Sequence, residues 1–208
     1  MTPPRIQFIF DFGSNNAYLC HKLIPALEAR TGAVVEYVPV LLGGLFKLSN
    51  NRSPAEAFAD VPHKRAYDKL EVARFVAKHG LHKYRPSPFW PMNTLKVMRG
   101  AVAAGKQGCF MPYVNAVFAH VWEEGSNMDD AAVITRVLDD AGLDGEAILA
   151  GTQDPDVKNG LLASTQSAYE RGAFGAPTFF VGHEIFFGKD RLREVEEEIV
   201  RVGALRLA

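Results

Sequence analysis

Two short segments at opposite ends of the chain constrain its fold more than anything between them: Asp11-Phe12-Gly13-Ser14-Asn15-Asn16-Ala17-Tyr18 and Phe174-Gly175-Ala176-Pro177-Thr178-Phe179. The first follows the apolar run Ile6 to Phe10 and precedes Tyr18, Leu19, Leu23, Ile24, Leu27 and Ala29, so the apolar spacing changes from strand-like to helical at Gly13-Ser14. Ser14 therefore marks a predicted helix start. Such a start offers unpaired backbone N–H groups and about half a positive charge, which suits an anion such as a thiolate. Two readings of Ser14 stay open. It is an N-cap, with Asn15 or Asn16 adding turn bonds, or its hydroxyl donates a hydrogen bond to a thiolate carried by a small molecule.

The second segment leads through Gly175-Ala176-Pro177 into the apolar run Thr178-Phe179-Phe180-Val181, then Gly182-His183-Glu184, then Ile185-Phe186-Phe187. This pattern predicts a β-hairpin with a three-residue loop. Pro cannot donate to a sheet ladder, so Pro177 belongs at the very start of its strand. A cis bond before Pro177 would turn the Ala176 carbonyl and N–H toward the Ser14 helix terminus. Propensity alone favours trans, since only about 5–6% of X–Pro bonds in folded proteins are cis.

The first strand (about Gln7 to Asp11) and its helix are followed by the β-branched run Val34 to Val40, which reads as a second, parallel strand and completes a βαβ unit. The hairpin is followed by Arg191 to Val202, where Leu192, Val195, Ile199 and Val202 share one helical face. Together these give an α/β fold, a thioredoxin-like βαβ…ββα frame. Between its halves, Lys69–His79, Met92–Gly105, Met111–Glu124, Asp130–Ala141 and Gly145–Ala150 each look helical. The expected organisation is a thioredoxin-like domain from residues 1–44 and 170–208, split by an all-helical insertion at 45–169. Thioredoxin-like oxidoreductases carry the first Cys of a Cys-x-x-Cys pair at such a helix start. Here Ser14 and Ala17 stand at those two positions, which excludes two-cysteine exchange at this site.

Composition narrows the class further. At 208 residues and 48% apolar content the chain has material for a core. A net charge of −1 gives no reason to expect nucleic acid or an anionic membrane. No window approaches the roughly 20 apolar residues of a membrane span, and the N-terminus lacks the pattern of a signal peptide, so a cytoplasmic location is expected. Cys20 and Cys109 suggest neither a disulfide framework nor a zinc site, and His79 and His82 have no further ligand cluster beside them, so no metal is implied.

The opening Asp-Phe-x-Ser-x-x-Ala-Tyr, the stretch Tyr37-Val38-Pro39-Val40-Leu41-Leu42-Gly43-Gly44-Leu45-Phe46, and the closing Gly-Ala-Pro-Thr-Phe-Phe-Val-Gly with Phe186-Phe187-Gly188-Lys189-Asp190-Arg191-Leu192 resemble 2-hydroxychromene-2-carboxylate isomerases. These are relatives of kappa-class glutathione transferases and of DsbA oxidoreductases. The resemblance runs along essentially the whole chain, with the motifs in the same order, and it supports the cis reading of Pro177. It implies glutathione as cofactor, with its thiol held by Ser14 as the catalytic residue and its backbone paired beside Ala176 and Pro177. Asn51 and Lys64 match glutathione-contacting positions, with Lys64 facing a carboxylate. Asp190, beside Lys189, is placed to accept the γ-glutamyl ammonium while capping the last helix. Two departures stand out: Lys189 replaces a common Ser, and Asn15 replaces a common Pro, which leaves the first helical turn less constrained but adds an amide.

On the substrate side, Pro91-Met92-Asn93-Thr94 resembles a segment that lines the pocket of the isomerases. Asn93 is a candidate to polarise a substrate carbonyl or carboxylate, or else the cap of the helix that follows. Phe12, Tyr84, Phe89 and Trp90 are candidate walls for an aromatic substrate, or core. The resemblance implies reversible thiolate addition to 2-hydroxychromene-2-carboxylate, giving trans-o-hydroxybenzylidenepyruvate, in catabolism of naphthalene-like aromatics by a homodimer. Three other classes are open: a kappa-like glutathione transferase, a non-enzymatic binding module on the same frame, and a thiol-disulfide oxidoreductase using Cys20 or Cys109.

Overall fold

The computed structural model describes residues 5–205. Strand β1 (Arg5–Phe10) pairs in parallel with β2 (Val34–Pro39), in the register Phe8 opposite Tyr37, and antiparallel with β3 (Thr178–Val181), which pairs antiparallel with β4 (Glu184–Phe187). The sheet order is β2-β1-β3-β4. β1 and β2 are joined through α1 (Asn15–Thr31), whose end is set by Gly32 at φ 66°, the left-handed value glycine adopts without Cβ strain. The last helix, α10 (Leu192–Leu205), follows a 3-10 turn at Lys189–Arg191. The βαβ plus ββα frame is therefore as the sequence indicates.

The hairpin differs by one residue from the expected three. Glu184 pairs with Val181, so only Gly182 and His183 form the loop, and Gly182 takes φ 62°, as the glycine-first form of a two-residue hairpin requires.

The segment between the two halves holds helices and connecting loops, with no strand among the described residues. It holds α2 (Leu42–Leu48), the short α3 (Pro54–Ala57), α4 (Pro62–His79), α5 (Leu95–Lys106), α6 (Phe110–Trp122), α7 (Ala131–Asp140), α8 (Gly145–Gly151) and α9 (Pro155–Glu170). Helix α9 is absent from the sequence expectation, although Asp154 caps it and Pro155 opens it. It packs against β2 and α2, and the Ser164 hydroxyl donates to the Pro39 carbonyl at 2.6 Å.

One core joins the frame to the insertion. Phe10 and Phe12 from β1 and its extension meet Phe118 of α6, and Phe12 also meets Tyr113, with Phe12 and Phe118 ring centres 4.7 Å apart. By contrast, no residue of α4 is buried, although it is 18 residues long. Among the described residues no helix is long and apolar enough to cross a membrane.

Candidate active site

The end of β1 sets the site. Asp11 is fully buried: its Oδ1 accepts from Gly13 N at 2.8 Å, and its Oδ2 from Leu42 N at 2.8 Å and from the Thr94 hydroxyl at 3.0 Å. One carboxyl group thus ties the loop before α1 to the starts of α2 and α5. Burial raises its pKa, and the bonds from Leu42, Gly13 and Thr94 oppose that rise. Ser14 caps α1, accepting from Ala17 N at 3.2 Å, and its hydroxyl donates to the Ala176 carbonyl at 2.9 Å. The peptide bond between Ala176 and Pro177 is cis, and the Pro177 carbonyl accepts from Gly188 N at 3.0 Å. The two terminal segments singled out in the sequence therefore meet through one hydrogen bond. No acidic residue stands in the first turn of α1, so the partial positive charge of that end is not offset by its own side chains.

Around Ser14 lie residues with free or half-free polar groups. Asn15 Nδ2 reaches the Tyr84 hydroxyl at 3.5 Å. Trp90, 44% exposed and followed by a second cis proline bond, donates its indole N–H to the Gly13 carbonyl at 3.0 Å. Asn16 Oδ1 is buried with no hydrogen-bond partner. An unmet buried acceptor costs about 1–3 kcal/mol, so this atom is a small destabilising element of the α1 start.

The other expected contacts divide. Asn51 Nδ2 donates to the Phe174 carbonyl at 3.1 Å, which puts Asn51 beside the loop that carries Ala176. Lys64 is half-exposed on α4, paired with Asp68 and 5.2 Å from the Phe58 ring centre. Asp190 is 61% exposed at its side chain, and its Oδ1 accepts from Lys189 at 3.2 Å rather than from a helix N–H. Lys64, Asp68, Glu71 and Phe75 follow the i, i+4, i+7, i+11 spacing, so they form one stripe on α4.

Two expectations are corrected. Phe12 is fully buried, packed between Phe10, Tyr113 and Phe118, while its carbonyl accepts from Trp122 Nε1 at 2.8 Å; it is core and walls no substrate pocket. The Lys189 side chain is 2% exposed, with Nζ 2.7 Å from each Glu71 oxygen, 3.2 Å from Asp190 and 5.0 Å from the Phe75 ring centre. All three of its N–H donors are spent, since a buried ammonium must be paired, and none is left for a ligand. Asn93, exposed just before α5, accepts from Leu95 N at its Oδ1 at 3.0 Å, a local turn bond ahead of Thr94 at the helix start.

Sequence reasoning missed Asp11, Asn16, Glu71 and Thr94 as parts of this region. Asp11 carried a usable signal, an acid at the end of an otherwise apolar strand. Glu71 and Thr94 carried none, because their partners Lys189 and Asp11 lie 118 and 83 positions away, and nothing in the sequence marks Asn16 Oδ1 as unpartnered. Cys20, fully buried on α1, has its thiol pKa pushed up by burial, and Cys109 is also free. Among the described residues no group of three or more His, Cys, Asp or Glu is placed to hold a metal ion.

A family model for the DSBA-like thioredoxin domain matches residues 5–200. The chain belongs to that family. Within it, the chain is 29% identical to a 2-hydroxychromene-2-carboxylate isomerase of Sphingobium xenophagum over 94% of this chain and 97% of that one. It is 24% identical to glutathione S-transferase kappa 1 of Caenorhabditis elegans, over 93% of this chain and 90% of that one, and 24% identical to the human counterpart over 91% and 88%. Among solved structures, a 2-hydroxychromene-2-carboxylate isomerase superposes with TM-score 0.82 at 26% identity, covering 98% of each chain. A probable DsbA oxidoreductase of Streptomyces coelicolor, at TM-score 0.77 and 17% identity, shares the fold. The full-length likeness to isomerases supports an enzyme, of the isomerase class.

Proposed function

We propose that this protein is a glutathione-dependent isomerase that interconverts 2-hydroxychromene-2-carboxylate and trans-o-hydroxybenzylidenepyruvate. The observation that carries this reading is the bond from Ser14 Oγ to the Ala176 carbonyl beside a cis proline, at an α1 N-terminus free of acidic residues. The residues fit glutathione in three respects. The α1 terminus suits a thiolate, the exposed Asp190 carboxylate suits the ammonium of the tripeptide, and the Lys64 ammonium suits one of its carboxylates. When bound, glutathione supplies a thiolate nucleophile that adds reversibly to an unsaturated carbon, which frees rotation about that bond.

The chain's own residues prepare this chemistry. The Ser14 hydroxyl proton is held by Ala176 O, so a ligand N–H that bonds that carbonyl would free the Ser14 proton to stabilise a thiolate. Asp11 fixes Gly13 and hence the direction of Ser14, through the bond from Gly13 N. Trp90 and Tyr84 offer aromatic faces on the side of Gly13 and Asn15, suited to a bicyclic acid. The same reading places the protein in the cytoplasm, as a homodimer, in the breakdown of naphthalene-like aromatics.

The test follows the absorbance spectrum of 2-hydroxychromene-2-carboxylate with the purified protein, with and without glutathione, for the native chain and Ser14→Ala. Glutathione-dependent equilibration that falls by at least about a hundredfold in Ser14→Ala is expected, the scale of losing a transition-state hydrogen bond. Equilibration that needs no glutathione would sink the proposal. The kappa transferase relatives give a second reading on the same site, a transferase that keeps the thiol adduct as product. A stable glutathione conjugate of an electrophile, with no isomerisation, would select it.

A further inference from the structure

Tyr84 lies in the loop between α4 and α5, and that loop is pinned around it. Tyr84 N donates to the Leu81 carbonyl at 3.0 Å and Arg85 N to the Trp122 carbonyl at 2.6 Å. The Arg85 guanidinium donates to the carbonyls of His82 and Tyr84 at 2.7 and 2.8 Å. The half-buried Tyr84 ring stacks against Tyr18 of α1 and Trp122 of α6, with ring centres 5.9 and 6.2 Å away. A ring held in this way presents its hydroxyl at one place.

That place is beside Asn15, the residue after Ser14. Asn15 Nδ2 donates to Tyr84 Oη at 3.5 Å, so the oxygen is the acceptor there and its own proton points away from Asn15. Among the described residues no acceptor takes that proton. A donor on the oxygen also strengthens the O–H as a donor in turn, since linked hydrogen bonds polarise one another. Burial raises the phenol above its usual pKa near 10, more than the Asn15 bond lowers it, so Tyr84 is a donor rather than a base at neutral pH. A Pro at position 15, the residue common among the relatives, has no side-chain amide, so the pair belongs to this chain's own sequence. Trp90 flanks the same turn with its single N–H already spent on the Gly13 carbonyl. The hydroxyl proton of Tyr84 is not spent.

In the isomerase reading, glutathione thiolate adds to the ring-opened aryl 2-oxo acid. A C–S bond forms at the carbon next to the aryl ring, and the C=C electron pair shifts so that the ketone oxygen becomes an enolate. Expulsion of the thiolate reverses both changes. The step needs no net proton, only a donor at the oxygen that becomes negative. We propose that the Tyr84 hydroxyl donates to the keto oxygen of an aryl 2-oxo acid bound beside Ser14, which selects that acid and stabilises its enolate. The catalytic half of this inference rests on the isomerase reading; the selectivity does not.

Tyr84→Phe keeps the ring and removes the hydroxyl alone. In the isomerisation assay with saturating glutathione, kcat is expected to fall by about a hundredfold or more, with KM changed less than about threefold, the scale of losing one oxyanion donor. Selectivity is read separately, by calorimetry in the presence of S-methylglutathione, which cannot form a thiolate. The probes are phenylpyruvate and hydrocinnamate, which has the same carboxylate and aryl group without the ketone. The native chain is expected to prefer phenylpyruvate by about fivefold or more, and Tyr84→Phe to lose that preference while keeping its hydrocinnamate affinity, which also reports an intact fold. Equal affinity of the native chain for the two probes, or a preference unchanged in Tyr84→Phe, would overturn the proposal. Native kcat in Tyr84→Phe would overturn its catalytic half and leave the isomerase reading standing. No isomerisation by the native chain, with a phenylpyruvate preference that Tyr84→Phe abolishes, would overturn the isomerase reading and support the donor.

Discussion

At the residue scale, the buried polar atoms carry most of the information about this site. Asn16 Oδ1 has no partner, so Asn16→Ala removes an unmet acceptor and adds helix propensity. A gain of about 1 kcal/mol in stability is expected, read as a higher urea midpoint. Asp11→Ala has the opposite sign, because Gly13 N, Leu42 N and the Thr94 hydroxyl all lose their acceptor. A loss of about 3 kcal/mol or more is expected in the same measurement. His21 supplies a pH dependence: burial, with Lys22 nearby, lowers its pKa to about 4, while its Nδ1 lies 2.9 Å from the Tyr37 hydroxyl. Its neutral form is favoured in the fold, so the stability it contributes is complete above its unfolded pKa near 6.5 and is lost as pH falls toward 4. In His21→Phe the unfolding midpoint should change less between pH 6.5 and 4 than in the native chain. The meeting of Ser14 with Ala176 and Pro177 was legible in the sequence because motifs carry them, whereas Asn51 was singled out through the family resemblance alone. Lys189 was misread because motif matching sees an exposed-type residue, whereas Glu71, 118 positions away, decides its burial.

At the scale of elements, α4 is the weakly held one. Its half-buried Val72, Phe75 and Val76 touch the core, and the Lys189–Glu71 pair links it to the turn before α10. Glu71→Ala leaves the buried Lys189 ammonium with Asp190 alone, which costs at or below the low end of about 3–5 kcal/mol because Asp190 remains and Glu71 is itself 31% exposed. Faster amide exchange confined to α4, with β1 and α5 unchanged, is the expected signature. The contact of α5 with α6 is far tighter. A Cβ on Gly100 would overlap the Tyr113 hydroxyl, which donates to the Val97 carbonyl at 2.8 Å. Gly100→Ala is therefore expected to destabilise by about 1–3 kcal/mol despite its better helix propensity, measured by thermal unfolding. The frame elements were readable from period and punctuation. Helix α9 was not, because its buried positions Val157, Leu161, Thr165 and Ala168 include a threonine and an alanine, which weaken the apolar stripe. The hairpin loop was one residue too long for a related reason, since Glu184 is polar yet pairs with Val181 on an edge strand with one open side.

At the scale of the molecule, the division into residues 1–44 with 170–208 and an insertion at 45–169 describes the chain order better than the energetics. Phe8, Phe10, Phe12, Phe179 and Val195 share one core with Val97, Met98, Tyr113, Phe118 and Leu161. Apolar area buried on both sides of the division is lost together, so a single cooperative transition follows. Two tryptophans sit at opposite depths of that core. Trp122 is 3% exposed and bonded to the Phe12 carbonyl, while Trp90 is 44% exposed and bonded to the Gly13 carbonyl next to Ser14. The protein therefore carries two built-in fluorophores, one reporting the state of the interior and the other the arrival of a ligand at the mouth, and their emission separates unfolding from binding without an added dye.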